Sequence, residues 1–270
     1  GCFATLKLFT KEVIMKSPKE LSDTLVSIEG LERKPIGIKF IRSMNEIPKG
    51  VKKFGEGAEG VAKSMLCAMW GDAFAGAGPF YTVKSDHICG GGTIAAGFGS
   101  TMPIEQAAKF MIGENLVYGT MEGLKRAMES TLPFKDGEFV AQIISPLEKM
   151  DLQALRPDLV FIICKPYQGQ HILRAYGFDS GEIVHGIGGT STCEMVSSYV
   201  MHTGKPTFTL GDLGGNTGMN IKDDEVLIAF PFSLLEIAVN NLTRICRNST
   251  MYKHNLYHET PAPVSATASM

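Results

Sequence analysis

Residues 79–92, PFYTVKSDHICGGG, and residues 204–216, GKPTFTLGDLGGN, decide how this chain is read. Each carries a proline before an apolar run of strand length, through Phe80 or Phe208. Each then passes an acidic residue, Asp86 or Asp212, into a glycine-rich turn. Upstream of each, a cysteine sits at the start of a predicted helix: Cys67 lies 13 residues before Phe80, and Cys193 lies 15 before Phe208. Two stretches with the same order of elements predict two similar α/β units that arose by internal duplication, related by a pseudo-two-fold and forming one compact globular body.

Working outward, each unit opens with a proline-led strand, Pro35–Ile41 in the first and Leu159–Cys164 after Pro157 in the second. Ser64 is placed to cap the Cys67 helix, and Ser191-Thr192-Cys193-Glu194 has the form of a capping box. Leu116–Tyr118 reads as a strand and Thr120–Met128 as a helix, the expected counterparts of the strand Val226–Phe230 and the helix Leu234–Ile245. Phe139–Ile144 reads as a further strand. On this reading residues 34–133 and 157–250 superpose. The organisation is then an N-terminal segment and helix (1–33), a first half (34–150), a second half (151–257) and a disordered Pro/Ala/Ser-rich tail (258–270). The N-terminal helix announces itself through Ser17-Pro18-Lys19-Glu20 and ends at Gly30.

Composition narrows the class. A chain of 270 residues with 44% hydrophobic and 20% charged residues can bury a large core and is unlike a disordered chain. Its net charge of −2 offers no basic field for nucleic acid. The longest apolar runs, Leu159–Cys164 and Val226–Phe232, are of strand length and too short to span a bilayer. No secretory signal is evident, so the expectation is a cytoplasmic protein without a membrane partner. Six cysteines are too few for a disulfide scaffold, and no CxxC or zinc-finger spacing is present.

Three of those cysteines stand out by position. Cys67 and Cys193 fall in first helical turns, where backbone N–H groups favour a thiolate. Cys89 closes the strand-like stretch of 81–89 and precedes Gly90, Gly91 and Gly92, which let the backbone close around a bulky group. Thiolates flanked by glycine and N–H donors suit an iron–sulfur cluster, and three of them on a 4Fe–4S cube leave one iron open. His87 is then a fourth ligand or proton donor beside them. Gly214 and Gly215 are expected to line the same cavity from the second half.

Scattered thiols are more often core filler, and a strand-end histidine is more often structural. Cys164, at the end of an apolar strand, and Cys246, in a late helix, fit that description. His185 before Gly186–Gly189 is either a cavity residue or a turn former. Lys165 and Arg174 are either a carboxylate grip or surface charge. Neither glycine stretch fits a dinucleotide or P-loop signature.

At these residues the chain resembles a family. PIGIKF, the Cys67 helix, DHICGGG, LVFIICKP, the Cys193 helix, GKPTFTLGDLGGN and DDEVLIAFPF recur in the same order in the uncharacterised ArCR family of archaea and anaerobic bacteria. The resemblance spans roughly residues 17–250. Its most specific part is Asp86-His87-Ile88-Cys89 with the glycines after it, where relatives typically read D-H-x-C-x-G-G. Many relatives also carry a Cys at or beside the turn that reads Gly211–Asn216 here, where this chain has no thiol. The resemblance implies an α/β fold, prokaryotic cytoplasmic life and a functional role for Cys67, Cys89 and Cys193. It implies no reaction.

The leading expectation is an iron–sulfur protein with a redox or Lewis-acid role on a small molecule or toward a redox partner. Whether it is an enzyme stays open. The alternatives are a non-catalytic protein that binds a small ligand or tetrapyrrole, and an accessory subunit of an anaerobic complex. A homo-oligomer or larger assembly is compatible with each.

Overall fold

The structure, a computed structural model, describes residues 16–57, 63–150, 155–189 and 191–248. Leu6, Leu8 and Phe9, whose apolar character suggests docking onto the body, lie outside them, as do Cys2 and the tail at 258–270. Seven strands form one sheet: β1 Ile36–Ile41, β2 Lys52–Lys53, β3 Phe80–Thr82, β4 Ala141–Pro146, β5 Leu159–Cys164, β6 Thr207–Thr209 and β7 Val226–Pro231. Their spatial order is β2-β3-β4-β1-β5-β7-β6. Every pairing is antiparallel except β2 with β3.

The helices in chain order are α1 Pro18–Glu29, α2 Leu66–Phe74, α3 Gly90–Ala95, α4 Ile104–Ala108, α5 Met121–Ser130, α6 Pro166–Tyr176, α7 Thr192–Val196, α8 Ser198–Thr203, α9 Leu213–Met219 and α10 Phe232–Asn248. They cover both faces of the sheet. The result is a mixed α/β protein in which the central strands are buried on two sides, which is why they are near-continuous apolar runs. Among the described residues no helix is long and apolar enough to cross a membrane.

Strand periodicity sorts the side chains. Leu159, Phe161 and Ile163 of β5 point into one core with Ile36, Ile38 and Phe40 of β1, while Val160, Ile162 and Cys164 point into the other. The first core holds α2 with its fully buried Trp70, together with Cys67 and Cys193. Trp70 packs edge-on against Phe161, with ring centroids 4.9 Å apart, and donates its indole N–H to Gln142 at 3.2 Å. The second core is built from the apolar stripes of α1, α6 and α10, the last carrying Phe232, Leu235, Val239, Leu242 and Ile245 inward. Cys164 and Cys246 belong to this second side, across the sheet from the other thiols.

Local signals placed α1 well. Ser17 and Glu20 exchange the two bonds of a capping box, and Gly30 ends the helix with φ of 64°. Three expectations change. Ser64 does not cap α2: it bridges to the 86–88 backbone instead, its N–H reaching Asp86 at 2.9 Å and its C=O accepting from Ile88 at 3.1 Å. The stretch after Tyr81 leaves the sheet at Thr82, turns through Lys84–Asp86, and its glycines become the first turn of α3.

The third change concerns Leu116–Tyr118, which is not a strand. Leu116 is 82% exposed with φ of 51°, and it follows a π-helical turn, Lys109–Glu114. A three-residue alternation between Gly113 and Gly119 presents no apolar face to pair, whereas every residue of β4 is buried. β4 therefore takes the place beside β3. The expected matches of 114–118 with β7 and of 121–128 with α10 fail, and so does the span 34–133, which omits β4.

Candidate functional site

The site is built where four short helices begin. Cys67 and Cys193 are each the second residue of their helix, α2 and α7, and both are buried, at 4% and 7% exposure. Cys89 and Asp212 are each the residue immediately before a helix, α3 and α9, and both have extended backbone. The helices pack on one another, α2 against α9 and α3 against α7.

Glycines make those contacts close. A Cβ on Gly218 would lie 2.6 Å from the Cys67 Sγ, and one on Gly71 would lie 2.3 Å from the Gly218 oxygen. A Cβ on Gly215 would meet the Thr192 Oγ1 at 2.6 Å, one on Gly92 the Leu66 Cβ at 2.9 Å, and one on Gly91 the Ser191 Oγ at 3.2 Å. Three of the five expected glycines, Gly91, Gly92 and Gly215, thus seat helix against helix. Gly90 has room around it, and the Gly214 oxygen faces Cys67 Sγ at 3.4 Å. Gly91 and Gly215 both lie against the start of α7, at Ser191 and Thr192.

These contacts bring Cys67 and Cys193 into a shared hydrogen bond. This bond pushes the Cys193 thiol well above its ordinary pKa, with burial and the negative charges of Cys67, Cys89 and Asp212 acting the same way. Cys67 moves down, chiefly because its thiolate accepts from Cys193, with the Ala68 N–H helping and burial opposing. Of the pair, Cys193 holds its proton the more tightly. The Cys67 thiol donates to the Gly214 oxygen at 3.4 Å. Cys89, the residue before α3, enters the same region through the packing of α3 on α7.

Asp212 carries more structure than its place in the sequence suggested. One oxygen accepts the Gly215 N–H at 2.6 Å and caps its own helix. The other accepts the Thr192 N–H at 2.9 Å and ties down the start of α7. Ser191, at the cap position, makes no side-chain cap bond there, so the expected capping box at α7 does not form. An acidic residue three positions before Gly215 was the available signal for the first role. The second is a contact across 20 residues, and nothing local announces it.

Glu194, beside Cys193, turns inward and accepts from Thr131 at 2.7 Å; burial raises its carboxyl pKa to about 7. His87 is buried against Phe98, ring centroids 5.3 Å apart, with Nε2 3.0 Å from the Thr82 hydroxyl. Because that hydroxyl can donate to Asp86, the His Nε2–H is assigned as donor to it, and the Nδ1 lone pair is left without a partner among the described residues. Burial pushes His87 down to about 4, with the Asp86 charge opposing, so the ring is neutral. His185 is exposed, and its carbonyl only accepts from Thr207. Lys165 pairs with Asp224 at 2.7 Å, and Arg174 is exposed, the behaviour of surface charge. Cys164 is buried with its thiol pushed up to about 12, a structural cysteine.

Among the described residues no three His, Cys, Asp or Glu side chains are grouped tightly enough for a single metal ion. The arrangement defines a mixed α/β protein with three thiols where two packed helix pairs begin. The chain belongs to the uncharacterised ArCR family, whose model matches residues 24–241. It is similar to an uncharacterised protein of Methanocaldococcus jannaschii, with 24% identity over 215 residues, covering 79% of this chain and 88% of that one. No solved structure matches.

Proposed function

We propose that this protein holds an iron–sulfur cluster, a 4Fe–4S cube, with Cys67, Cys89 and Cys193 as ligands, and uses it for redox or Lewis-acid chemistry on a small molecule in a reducing cytoplasm. The observation that carries the reading is that Cys67, Cys89 and Cys193 stand at the starts of α2, α3 and α7, which meet through Gly91 and Gly92, while Cys164 and Cys246 lie across the sheet. A polynuclear cluster distributes its ligands over a wider space than a single ion, so a spread trio suits it. The Ala68 N–H directed at Cys67 is the kind of donor that offsets cluster charge. His87, with its open Nδ1, stands on the strand side of the Cys89 segment as a neutral base.

The two halves, 34–150 and 151–257, fit a duplication. Outward from the antiparallel β1–β5 pair, each side runs first strand, last strand, then the short strand before the glycine turn: β1-β4-β3 and β5-β7-β6. Each short strand then takes a parallel partner from the segment preceding the cysteine helix, β2 on one side and Gly186 on the other. On this reading a pseudo-two-fold through the β1–β5 pair would set Cys67 opposite Cys193.

The test is anaerobic purification followed by iron and sulfide assay and visible absorption. The expected result is broad thiolate-to-iron absorption that Cys89→Ser abolishes and Cys164→Ala and Cys246→Ala retain. Protein without iron, or a Cys89→Ser spectrum equal to wild type, overturns the reading. A sharp Soret band would favour a tetrapyrrole instead.

A further inference from the structure

We propose that residues 101–119 form a lid that closes over the mouth of the thiol site, its apolar side chains covering Ile88, Leu210 and Leu213. The segment stands off the body. Ala108 is its only buried residue, and α4 packs chiefly on the π-helical turn Lys109–Glu114 that follows it. It nevertheless carries apolar side chains into solvent, with Phe110 54% and Leu116 82% exposed and Val117 beside them. Sparse contact with the body marks a segment that moves at small cost. Grouped apolar side chains in solvent mark a surface that something covers.

The root of the lid decides what it covers. Met102 Cε and Thr101 Oγ1 would each lie 3.6 Å from a Cβ on Gly90, the residue after Cys89, so the lid springs from the edge of the site. That edge is itself apolar. Ile88, immediately before Cys89, is 61% exposed, and Leu210 and Leu213, which flank Asp212, are 71% and 87% exposed. Gly91 lies against Ser191 and Gly215 against Thr192, so two adjacent residues at the start of α7 separate the two parts of this rim. The stretch Ile104–Glu114 is about 15 Å long at a helical rise of about 1.5 Å per residue, enough to cross them. A Cβ on Gly119 would meet nothing within 4 Å, which leaves the far end of the lid room to turn. Closure buries the two apolar surfaces against each other and removes water from around Cys89. These contacts stand apart from the cluster reading, and the lid closes whether or not the thiols hold iron.

The test is photocrosslinking in the full chain with p-benzoylphenylalanine in place of Phe110, an exposed position where the change leaves the core intact, and circular dichroism as the folding check. The same probe in place of Ile237, exposed on α10 across the sheet, is the control. Irradiation should join position 110 to the peptide bearing Ile88 or to that bearing Leu210 and Leu213, within one chain and with a yield independent of protein concentration. The control should give neither product. Sodium sulfate, which strengthens apolar burial, should raise the yield. The double variant Leu210→Ser/Leu213→Ser should lower it about threefold or more as the closed fraction falls. Absence of both products, or a yield that the double variant leaves unchanged, overturns the lid. Crosslinks found only between two chains also overturn it, and would assign the segment to a dimer contact.

Discussion

Glu194→Gln isolates one buried carboxyl whose effect on stability can be worked through. Glu194 is 4% exposed and its pKa is raised by burial from the ordinary 4.5 to about 7. In the folded chain it therefore binds its proton more tightly than in the unfolded chain. Its contribution is fully present below about pH 4.5 and is lost as pH rises through about 7. At about 1.4 kcal/mol per unit, a rise of that size corresponds to about 3 kcal/mol. Glutamine is nearly isosteric, keeps an acceptor for Thr131, and does not titrate. The assay is reversible urea unfolding of reduced wild type and variant between pH 4 and 8. The expected outcome is that wild-type stability relative to the variant falls by about 3 kcal/mol across that range, most steeply between pH 4.5 and 7. A difference curve that stays flat within about 0.5 kcal/mol, against the 3 expected from linkage, would mean that Glu194 is solvated or already ionised in the folded protein.

Other consequences can be measured alongside. His87, whose pKa burial lowers to about 4, contributes stability that is complete above about pH 6.5 and is lost as pH falls through about 4. Its ring resonances should accordingly show no protonation between pH 5.5 and 8, and a midpoint near 6.5 would contradict the buried placement. In the overlap of the two windows, the His87 and Glu194 slopes oppose each other, so Glu194→Gln should unmask a loss of stability on acidification. Gly218→Ala forces a methyl to 2.6 Å from Cys67 Sγ and 3.0 Å from the Ala68 N, and should cost about 1–3 kcal/mol in denaturant unfolding. An unaffected midpoint would show that the α2–α9 contact is looser than described. Trp70→Ala removes the largest fully buried side chain and should cost about 3–5 kcal/mol; a loss below about 1 would show that the core on that face collapses readily.

Much of this architecture is encoded within short windows. The runs Ile36–Ile41, Leu159–Cys164 and Val226–Pro231 read as strands because burial on both faces demands continuous apolar sequence, and they are the sheet's centre. Ser17-Pro18-Lys19-Glu20 and Gly30 marked the ends of α1 because capping is a matter of three or four adjacent residues. The positions of Cys67 and Cys193 in first helical turns were legible for the same reason. Leu116–Tyr118 misled because alternation over three residues carries too little information to be told from an exposed turn; β4, buried at every position, was the strand the sheet required.

By itself, then, the sequence determined the central strands, the ends of α1 and which cysteines head helices, because each rests on contacts among near neighbours. Only the tertiary structure decided which helix meets which. Gly71 opposes Gly218, and Gly215 opposes Thr192, because two distant surfaces lacking side chains fit one another at close range. From that fit follow the meeting of Cys67 with Cys193, the second bond of Asp212 to the start of α7, and the inward turn of Glu194 toward Thr131. Each joins residues remote in the chain, so each depends on shape complementarity between packed elements rather than on any local pattern.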